Sequence, residues 1–378
     1  MEVDILKKVL FVATVDTHII SFHLPYLKWF KEHGYKVHVA SNGDKKIEVC
    51  DKKHEICFER SPFKINNIKA YKQLKKIIQE EQFDIVHCHT PMGGVLARLA
   101  SIKARKSKTK VIYTAHGFHF YKGAPILNWL LYYSIEKWLS KHTDCLITIN
   151  SEDYELAKRK FKAKKIEFIT GIGIDENKFN IETTEEEKLK LREELGLKKD
   201  DFIAIYIAEI SKRKNQEFLI KALKNVIEEN KEIHLILTGN DSLNGKCQKV
   251  SVELGINNNV HFLGYRTDIR KLIEISNLYV STSRQEGLPV NIMEAMIMGK
   301  PIIATNCRGN RDLIKNEVNG CLIEQGDETE FANGFLNIFK NLEKWKEIGY
   351  NGKEDIKTYM LNEILKQMER IYTYIGEK

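Results

Sequence analysis

Hydrophobic and polar positions follow two alternating patterns along the chain. Short apolar runs rich in Val, Ile and Leu, such as KVLFVAT at residues 8–14, predict buried strands. The segments between such runs, among them residues 68–81, 93–104 and 126–140, carry apolar residues three and four positions apart, which predicts helices. Alternating strands and helices indicate βαβ units, in which helices cover both faces of a parallel sheet.

This alternation is interrupted once and then restarts. The stretch that begins GIGIDENKF leads into an acidic run, so we place a hinge near residues 173–179. We therefore predict two doubly wound α/β domains, an N-terminal one over residues 1–176 and a C-terminal one over residues 177–356. In such sheets ligands bind beyond the carboxyl ends of the strands, and with two domains the cleft between them is the natural site.

Composition indicates a globular chain. Of its 378 residues 43% are hydrophobic and 30% charged, which is enough for two cores. There are seven Cys and no CxxC pair, a pattern that is typical of a reducing compartment and predicts no zinc site. No apolar stretch approaches the length of a membrane span, and the start of the chain runs directly into a strand, so we expect a cytoplasmic protein.

The net charge of +8 is distributed unevenly. Residues 1–176 contain 30 Lys and Arg against 20 Asp and Glu, whereas residues 177–378 contain 30 against 32. The basic excess includes KARKSKTK at residues 103–110 and KRKFKAKK at residues 158–165, and it predicts an anionic partner or a solubilising face. Because the first run has no aromatic residue, we expect an anionic membrane surface and not a nucleic acid. Three apolar residues could add to such a contact, with a place in the core as the alternative: Trp129, Leu130 and Tyr133.

Candidate chemistry is concentrated in STSRQEGLPVNIMEAMIMGKPIIATN, residues 281–306. Glu286 follows a predicted strand in a loop, and Glu294 lies inside the helix that comes next. The free amides of Val290 and Asn291 near the start of that helix would favour an anion such as a diphosphate. Two carboxylates beside it can bind sugar and ribose hydroxyls, so the segment suits a nucleotide-sugar.

This segment resembles glycosyltransferase family 4, a retaining family with the GT-B fold. The resemblance lies in the family's E-x7-E signature and in AMIMGKPIIAT after it. It implies two Rossmann-like domains facing across a cleft, with the donor in the C-terminal domain and the acceptor in the N-terminal one. It also implies that a last helix, about residues 357–378, crosses back onto the first domain. The residues it implies for donor binding are Gly287, Leu288, Val290, Asn291 and Glu294, with Glu286 as a catalytic residue.

Two further segments resemble the family's donor site. In IAEISKRKNQEFLIKAL, Lys214 aligns with the family Lys that contacts the donor diphosphate, and Arg213 adjoins it. The family's Gly-Arg is replaced here by Ala208-Glu209, so Lys214 and Arg213 would carry more of the neutralisation. The segment NNVHFLGYRTD resembles the turn that presents backbone to the nucleotide base. Candidates for the rim of the base are Leu263, Tyr265 and Arg266.

The N-terminal half supplies the acceptor-side candidates. YTAHGFHFYKG, residues 113–123, resembles the family's T-x-H, which implies that His116 is catalytic and faces the donor sugar. Its HGFHF variant resembles the branch that builds bacterial exopolysaccharide and capsule. The loop after the first strand contains no Gly, which excludes a dinucleotide fingerprint. The acceptor-side candidates are Asp16, Thr17, His18, His23 and His119, with capping or core roles as the alternative.

We therefore predict a retaining, metal-independent hexosyl- or N-acetylhexosaminyltransferase at the inner face of the cell membrane. It would move a sugar from a nucleotide-sugar, in the first place a UDP-sugar, to a lipid-linked or glycan acceptor in polysaccharide biosynthesis. No D-x-D triplet occurs, so we expect neither a metal nor another cofactor. Because Glu286 lies in a loop and would contact substrate, we expect little stability to depend on it. A GT-B epimerase acting on a UDP-sugar is the main alternative, with a nucleic-acid-binding protein ranked below it.

Overall fold

The computed structural model describes residues 6–377, which form two compact units. One unit ends at Gly173 and takes in the chain again from Asn362, and the other runs Ile174–Leu361. The sequence analysis placed these boundaries at 176/177 and about 357, whereas the units divide at 173/174 and 361/362. In the described residues, no helix is both long enough and apolar enough to cross a bilayer.

The first unit is built on a parallel sheet. Its strands are β1 (Lys8–Val15), β2 (Lys36–Asn42), β3 (Lys52–Glu55), β4 (Ile85–Cys88), β5 (Lys110–Ala115), β6 (Cys145–Thr148) and β7 (Lys165–Phe168). They lie in the order β3-β2-β1-β4-β5-β6-β7, and each neighbouring pair is parallel. The chain therefore winds outward from β1 in both directions, as predicted. Strand β1 is buried from Val9 to Thr14, because helices cover both faces of the sheet.

Helices follow the strands of this sheet. They are α1 (Asp16–Phe22), α2 (Leu24–Glu32), α3 (Asn66–Glu81), α4 (Pro91–Ser101), α5 (Ile126–Asn128), α6 (Ser134–Ser140) and α7 (Ser151–Lys160). A π-helical segment, Trp129–Tyr133, joins α5 to α6. Helix α3 buries Ala70, Leu74 and Ile78 at four-residue spacing, the apolar stripe that the sequence pattern indicated.

The second unit repeats the architecture around its own core. Its strands are β8 (Phe202–Ile207), β9 (Ile233–Thr238), β10 (Val260–Gly264), β11 (Leu278–Ser281), β12 (Ile302–Thr305) and β13 (Cys321–Ile323). All neighbours in the order β10-β9-β8-β11-β12-β13 pair in parallel. The helices are α8 (Glu185–Glu194), α9 (Gln216–Ala222), α10 (Lys224–Glu229), α11 (Lys246–Glu253), α12 (Ile269–Ile275), α13 (Val290–Ile297), α14 (Asn310–Leu313), α15 (Glu328–Lys340) and α16 (Leu342–Asp355).

The last helix, α17 (Leu361–Glu377), packs on the first unit. Its buried stripe consists of Ile364, Met368, Ile371, Tyr372 and Ile375. The Tyr372 hydroxyl lies 3.0 Å from Nδ1 of His87 in β4. Gln367 hydrogen-bonds Thr170 near the end of the first unit's main segment. The return of the chain to the first unit is thus built from both apolar and polar contacts.

Candidate active site

Charged side chains of the second unit meet where two neighbouring strands end. Lys214 and Arg213 follow β8, and Glu286 follows β11, which pairs directly with β8. Two hydrogen bonds join the loops: the Arg284 backbone N donates to Arg213 O at 2.9 Å, and the Thr282 side chain donates through Oγ1 to Lys214 O at 3.2 Å. The parallel arrangement therefore places these groups together, as the sequence indicated.

Glu286 is almost fully buried and is bound on both of its carboxylate oxygens. Lys214 Nζ lies 2.6 Å from one oxygen, Arg213 lies 2.9 Å from the other, and Ser283 Oγ donates at 2.7 Å. Burial alone raises the pKa of Glu286, but the two cations outweigh it, so the net pKa lies below its usual value. The premise that Glu286 would contact only substrate is therefore wrong, because its carboxylate is the ion-pair partner of buried Lys214. We now expect the removal of Glu286 to destabilise the fold.

A third loop, which follows β12, holds the Glu286 backbone in place. Glu286 N donates to Arg308 O at 3.1 Å, and Arg308 Nε donates to Glu286 O at 2.9 Å. Gly309 has a φ of +85°, and a Cβ on it would lie 2.8 Å from Gly287 O. A side chain at this position would therefore displace the loop. The sequence analysis missed Arg308 and Gly309, which carry no recognisable motif.

Helix α13 carries the second carboxyl group of the signature. Glu294 is partly buried, and among residues 6–377 its side chain has no hydrogen-bond partner. Burial raises its pKa to about 7, an effect that Lys178 partly opposes. Asn291 Nδ2 donates to Ile207 O at the end of β8 at 2.8 Å, so this side chain anchors the start of the helix. Around these groups, Leu288 is buried, and Gly287 and Val290 are partly buried.

The segment proposed for the base rim lies at the end of β10, two strands away from β8. Tyr265 is 72% exposed, Arg266 pairs with Asp268 at 2.8 Å, and Leu263 is partly buried. The structure records no contact between these side chains and Glu286. Gly264 O accepts from Gly239 N at 2.7 Å, which ties this turn to the end of β9.

The departure from the family's Gly-Arg has a structural counterpart. A Cβ on Gly239 would lie 2.1 Å from Ala208 O, so the backbones of the two loops touch at this point. The Glu209 carboxylate accepts a short hydrogen bond from Ser242, and its carbonyl accepts from Gln216 Nε2 at 3.0 Å. Glu209 is thus engaged within its own unit.

In the first unit, a cavity has a volume of about 620 Å³ and a mainly apolar lining. It lies at the carboxyl ends of β1, β4 and β5, where Arg60, Phe63 and Leu131 are among its lining residues. Its wall rests on a buried ion pair, in which Arg98 binds both oxygens of Glu136 at 2.8 and 2.9 Å. The Arg98 guanidinium also stacks 3.9 Å from the centre of the Tyr113 ring.

The acceptor-side candidates separate into different environments. His18 and His119 line the cavity, and Thr17 is exposed on α1. Asp16 is buried, and its carboxylate binds Ser41 Oγ and Lys53 Nζ, each at 2.6 Å. These contacts account for Asp16 as a structural residue, the alternative that the sequence left open. His23 is buried outside the cavity lining.

Four imidazoles, those of His18, His23, His89 and His116, form what we call the histidine cluster. One ring nitrogen from each lies within 4.8 Å of those of the others. Burial lowers the pKa of His18 to about 4 and holds the pKa values of the other three well below their usual value. The rings are therefore neutral at neutral pH. The sequence analysis missed His89, although VHCHT places it directly after a strand.

The two basic runs lie at the opposite edge of the first sheet from the cavity. Residues 103–110 lead into the amino end of β5, and residues 158–165 lead into that of β7. Part of their charge is neutralised, since Arg105 pairs with Asp144 at 2.7 Å and Lys165 pairs with Glu167 at 2.6 Å. These runs therefore present less unpaired positive charge than the sequence indicates, and this charge lies away from the cavity.

Apolar side chains, by contrast, are exposed in the two chain segments that supply Phe63 and Leu131 to the cavity lining. We call this set the apolar rim; it consists of Phe63, Ile65, Ile126, Leu127, Leu130 and Leu131. Of these, Phe63 (81% exposed) and Leu131 (39% exposed) line the cavity itself. Of the three apolar residues proposed from the sequence, only Leu130 is exposed, because Trp129 and Tyr133 pack against Phe120.

Two doubly wound parallel sheets, each in its own unit, are the architecture that the GT-B resemblance predicts. Residues 8–150 match the family model described as glycosyl transferase 4-like, and residues 187–355 match that of glycosyl transferases group 1. The putative glycosyltransferase EpsD of Bacillus subtilis is 44% identical over 97% of this chain and 96% of its own length. The chain therefore belongs to this glycosyltransferase family and is itself a glycosyltransferase, which decides against the epimerase alternative.

Two further comparisons agree with this assignment. The UDP-Gal:alpha-D-GlcNAc-diphosphoundecaprenol alpha-1,3-galactosyltransferase of Escherichia coli is 31% identical over 72% of this chain and 71% of its own length. Anabaena Alr3699/HepE, solved in complex with UDP and glucose, superposes with a TM-score of 0.80 at 22% identity. That match covers 97% of this chain and all of the other. The predicted GT-B fold is confirmed.

Proposed function

We propose that this glycosyltransferase moves a sugar, with retention, from a UDP-sugar to a lipid-diphosphate-linked acceptor in polysaccharide synthesis. The observation that carries the donor half is the Lys214–Glu286–Arg213 cluster at the carboxyl edge of the second sheet. The similarity to a galactosyltransferase named for a diphosphoundecaprenol acceptor supports the acceptor half. The UDP named for HepE supports the choice of nucleotide.

The donor diphosphate would bind Lys214, Arg213 and the amides at the start of α13. Negative charge grows on the leaving diphosphate as the glycosidic bond breaks, and fixed cations beside it lower the barrier. When the phosphates share these cations, the Glu286 carboxylate becomes free to accept hydrogen bonds from sugar hydroxyls. Glu294 would bind the ribose, and the turn at Tyr265 would border the base. In this scheme no metal ion is required at the diphosphate.

The acceptor would bind in the cavity of the first unit. A volume of about 620 Å³ lies within the range of ligand sites, and its apolar lining suits the first part of a lipid chain. Arg60, which lines the same cavity, suits the diphosphate that links lipid to sugar. The lipid itself stays in the bilayer, so the enzyme must reach the membrane surface.

We therefore revise the proposed membrane contact. The basic runs at residues 103–110 and 158–165 would turn the cavity away from an anionic leaflet, because they occupy the other edge of the sheet. The apolar rim adjoins the cavity and would enter the interface at the depth where the lipid-linked diphosphate lies. We propose a peripheral position at the inner face of the membrane, held mainly by this rim.

Donor binding is tested with a matched pair of variants in chelator-treated protein. Lys214→Met should weaken UDP binding at least tenfold in calorimetry, because it removes a buried cation from the diphosphate site. Lys212→Met is the control and should bind as the wild type does, because Lys212 is exposed and has no partner among residues 6–377. Equal affinity in both variants, or binding that requires added Mn²⁺, would refute the proposed donor site.

Acceptor class is tested with a panel of labelled UDP-sugars. Transfer is measured to a diphosphoundecaprenol-linked sugar in vesicles and to the same sugar as a soluble glycan. We expect transfer only to the lipid-linked form. Equal transfer to the soluble glycan would contradict the lipid half of the proposal and leave the donor half standing.

A further inference from the structure

The histidine cluster brings together side chains from four separate positions of the first unit. His18 lies in α1, His23 lies between α1 and α2, His89 follows β4, and His116 follows β5. Strands β1, β4 and β5 are adjacent in the sheet, so the segments after them meet at one edge. The four imidazoles converge for this reason, although 98 residues separate the first from the last.

The spacing of the ring nitrogens suits one metal ion. In a tetrahedral zinc site with Zn–N distances of 2.0–2.1 Å, neighbouring ligand nitrogens lie about 3.3 Å apart. His89 Nδ1 and His116 Nε2 lie 3.4 Å apart, and one nitrogen from each of the four rings falls within 4.8 Å of the rest. The rings of His23 and His89 are stacked with their centroids 3.8 Å apart, so one of them must rotate for all four nitrogens to share a centre.

Hydrogen bonding separates this cluster from an ordinary group of core histidines. Buried polar atoms nearly always have partners. Among residues 6–377, however, both ring nitrogens of His23 and the Nε2 atoms of His18 and His89 are buried without one. His87, in the strand that leads to His89, is a direct contrast. Its Nε2 lies 2.8 Å from Thr114 Oγ1, and its Nδ1 lies 3.0 Å from Tyr372 OH.

We propose that the histidine cluster binds one divalent transition-metal ion, with Zn²⁺ as the expected occupant. Imidazole nitrogens suit zinc and its neighbours, whereas Mg²⁺ and Ca²⁺ require oxygen ligands. The proposal replaces the expectation that the chain has no metal site; at the diphosphate site of the second unit we still expect none.

Four protein ligands make this a structural site and not a catalytic one with an open position. Metal would join α1 to the segments that follow β4 and β5, all of which contribute to the cavity wall through His18, Thr90 and Gly117. It would also fix the ring of His116, the residue assigned to the reaction by family resemblance. The metal would thereby fix the positions of segments that form the wall of the acceptor cavity.

The test measures metal directly in the full-length protein. After dialysis against a chelator, Co²⁺ is added and the visible spectrum recorded, and bound Zn²⁺ is counted by mass spectrometry. We expect one ion per chain and the intense d–d bands of tetrahedral Co²⁺. His23→Asn should lower the affinity at least 100-fold. His18→Asn, at a partly exposed helical position, gives a second variant in case the first does not fold.

His54→Asn is the matched control, because His38, His54 and Glu81 form another group within ligand distance. In that group Glu81 already binds Lys8 and Lys52. Unchanged zinc binding in this variant, with loss in the cluster variants, supports the proposal. Wild-type protein without tight zinc binding, or loss only in His54→Asn, would overturn it. UDP affinity in the same samples reports on the donor site independently.

Discussion

The two sheets end in edges of opposite character. In the second unit, Glu286 is neutralised by Lys214 and Arg213 and fixed by Ser283, so the charges satisfy one another. In the first unit, the histidine cluster consists of four neutral rings, and several of their buried nitrogens lack a partner in the described chain. Oppositely charged side chains satisfy one another within the protein, whereas a cluster of neutral imidazoles needs a bound ion or another partner to satisfy its buried nitrogens.

Replacing Glu286 is expected to have the largest effect. Glu286→Gln keeps the size of the side chain and an acceptor for Ser283 but removes the charge, and transfer should fall by about 10²–10³-fold. Glu286→Ala should in addition lower the free energy of unfolding by about 3 kcal/mol, because Lys214 remains buried without its partner. Transfer rates and urea unfolding of both variants are the measurements. Near-normal turnover in a folded Glu286→Gln protein would rule out the proposed role.

A buried ion pair in the first unit should likewise contribute to the free energy of unfolding. Arg98 is 1% exposed and binds Glu136 through two hydrogen bonds. Arg98→Ala should cost about 3–5 kcal/mol in unfolding free energy, since it leaves a buried carboxylate unpaired and removes the contact with Tyr113. The double variant Arg98→Met/Glu136→Leu should recover most of this loss. A double variant no more stable than Arg98→Ala would show that packing, and not the unpaired charge, sets the cost.

Glu294 should make the second unit sensitive to pH. Its pKa rises from 4.5 to about 7 on folding, so the folded state binds more protons than the unfolded state between these values. The free energy of unfolding should therefore fall as pH rises through this window, by about 2–3 kcal/mol from this group. Glu294→Gln should abolish this decline. An identical slope in both proteins, measured by urea unfolding between pH 4.5 and 8, would contradict the assignment.

Sequence alone anticipated the charged edge better than the histidine edge, for physical reasons. Lys214 and Glu286 each lie a few residues beyond a strand, and adjacent parallel strands bring such residues together wherever the exact boundaries fall. Contacts that depend on the third dimension were missed, such as the approach of Gly309 to Glu286. The edge strand β3 (KKHE) is polar, so no apolar pattern marks it as a strand. The histidine cluster has no fixed spacing of ligands along the sequence from which it could be recognised.

The smallest expected effect is on vesicle binding, and it distinguishes which edge of the first sheet contacts the membrane. Leu127 and Leu130, in the segment that supplies Leu131 to the cavity lining, are 75% and 66% exposed, whereas Lys106 and Lys162 are exposed at the opposite edge of the sheet. Each apolar side chain that enters the interface contributes on the order of 1 kcal/mol, so Leu127→Asp/Leu130→Asp should weaken vesicle binding about tenfold. Lys106→Gln/Lys162→Gln should change it little. Because burial of apolar surface is not screened by ions, the binding that remains in high salt should belong to the rim. Vesicle co-sedimentation in low and high salt measures both effects. If the Lys variant loses binding and the Leu variant keeps it, the basic edge faces the membrane and the apolar rim does not.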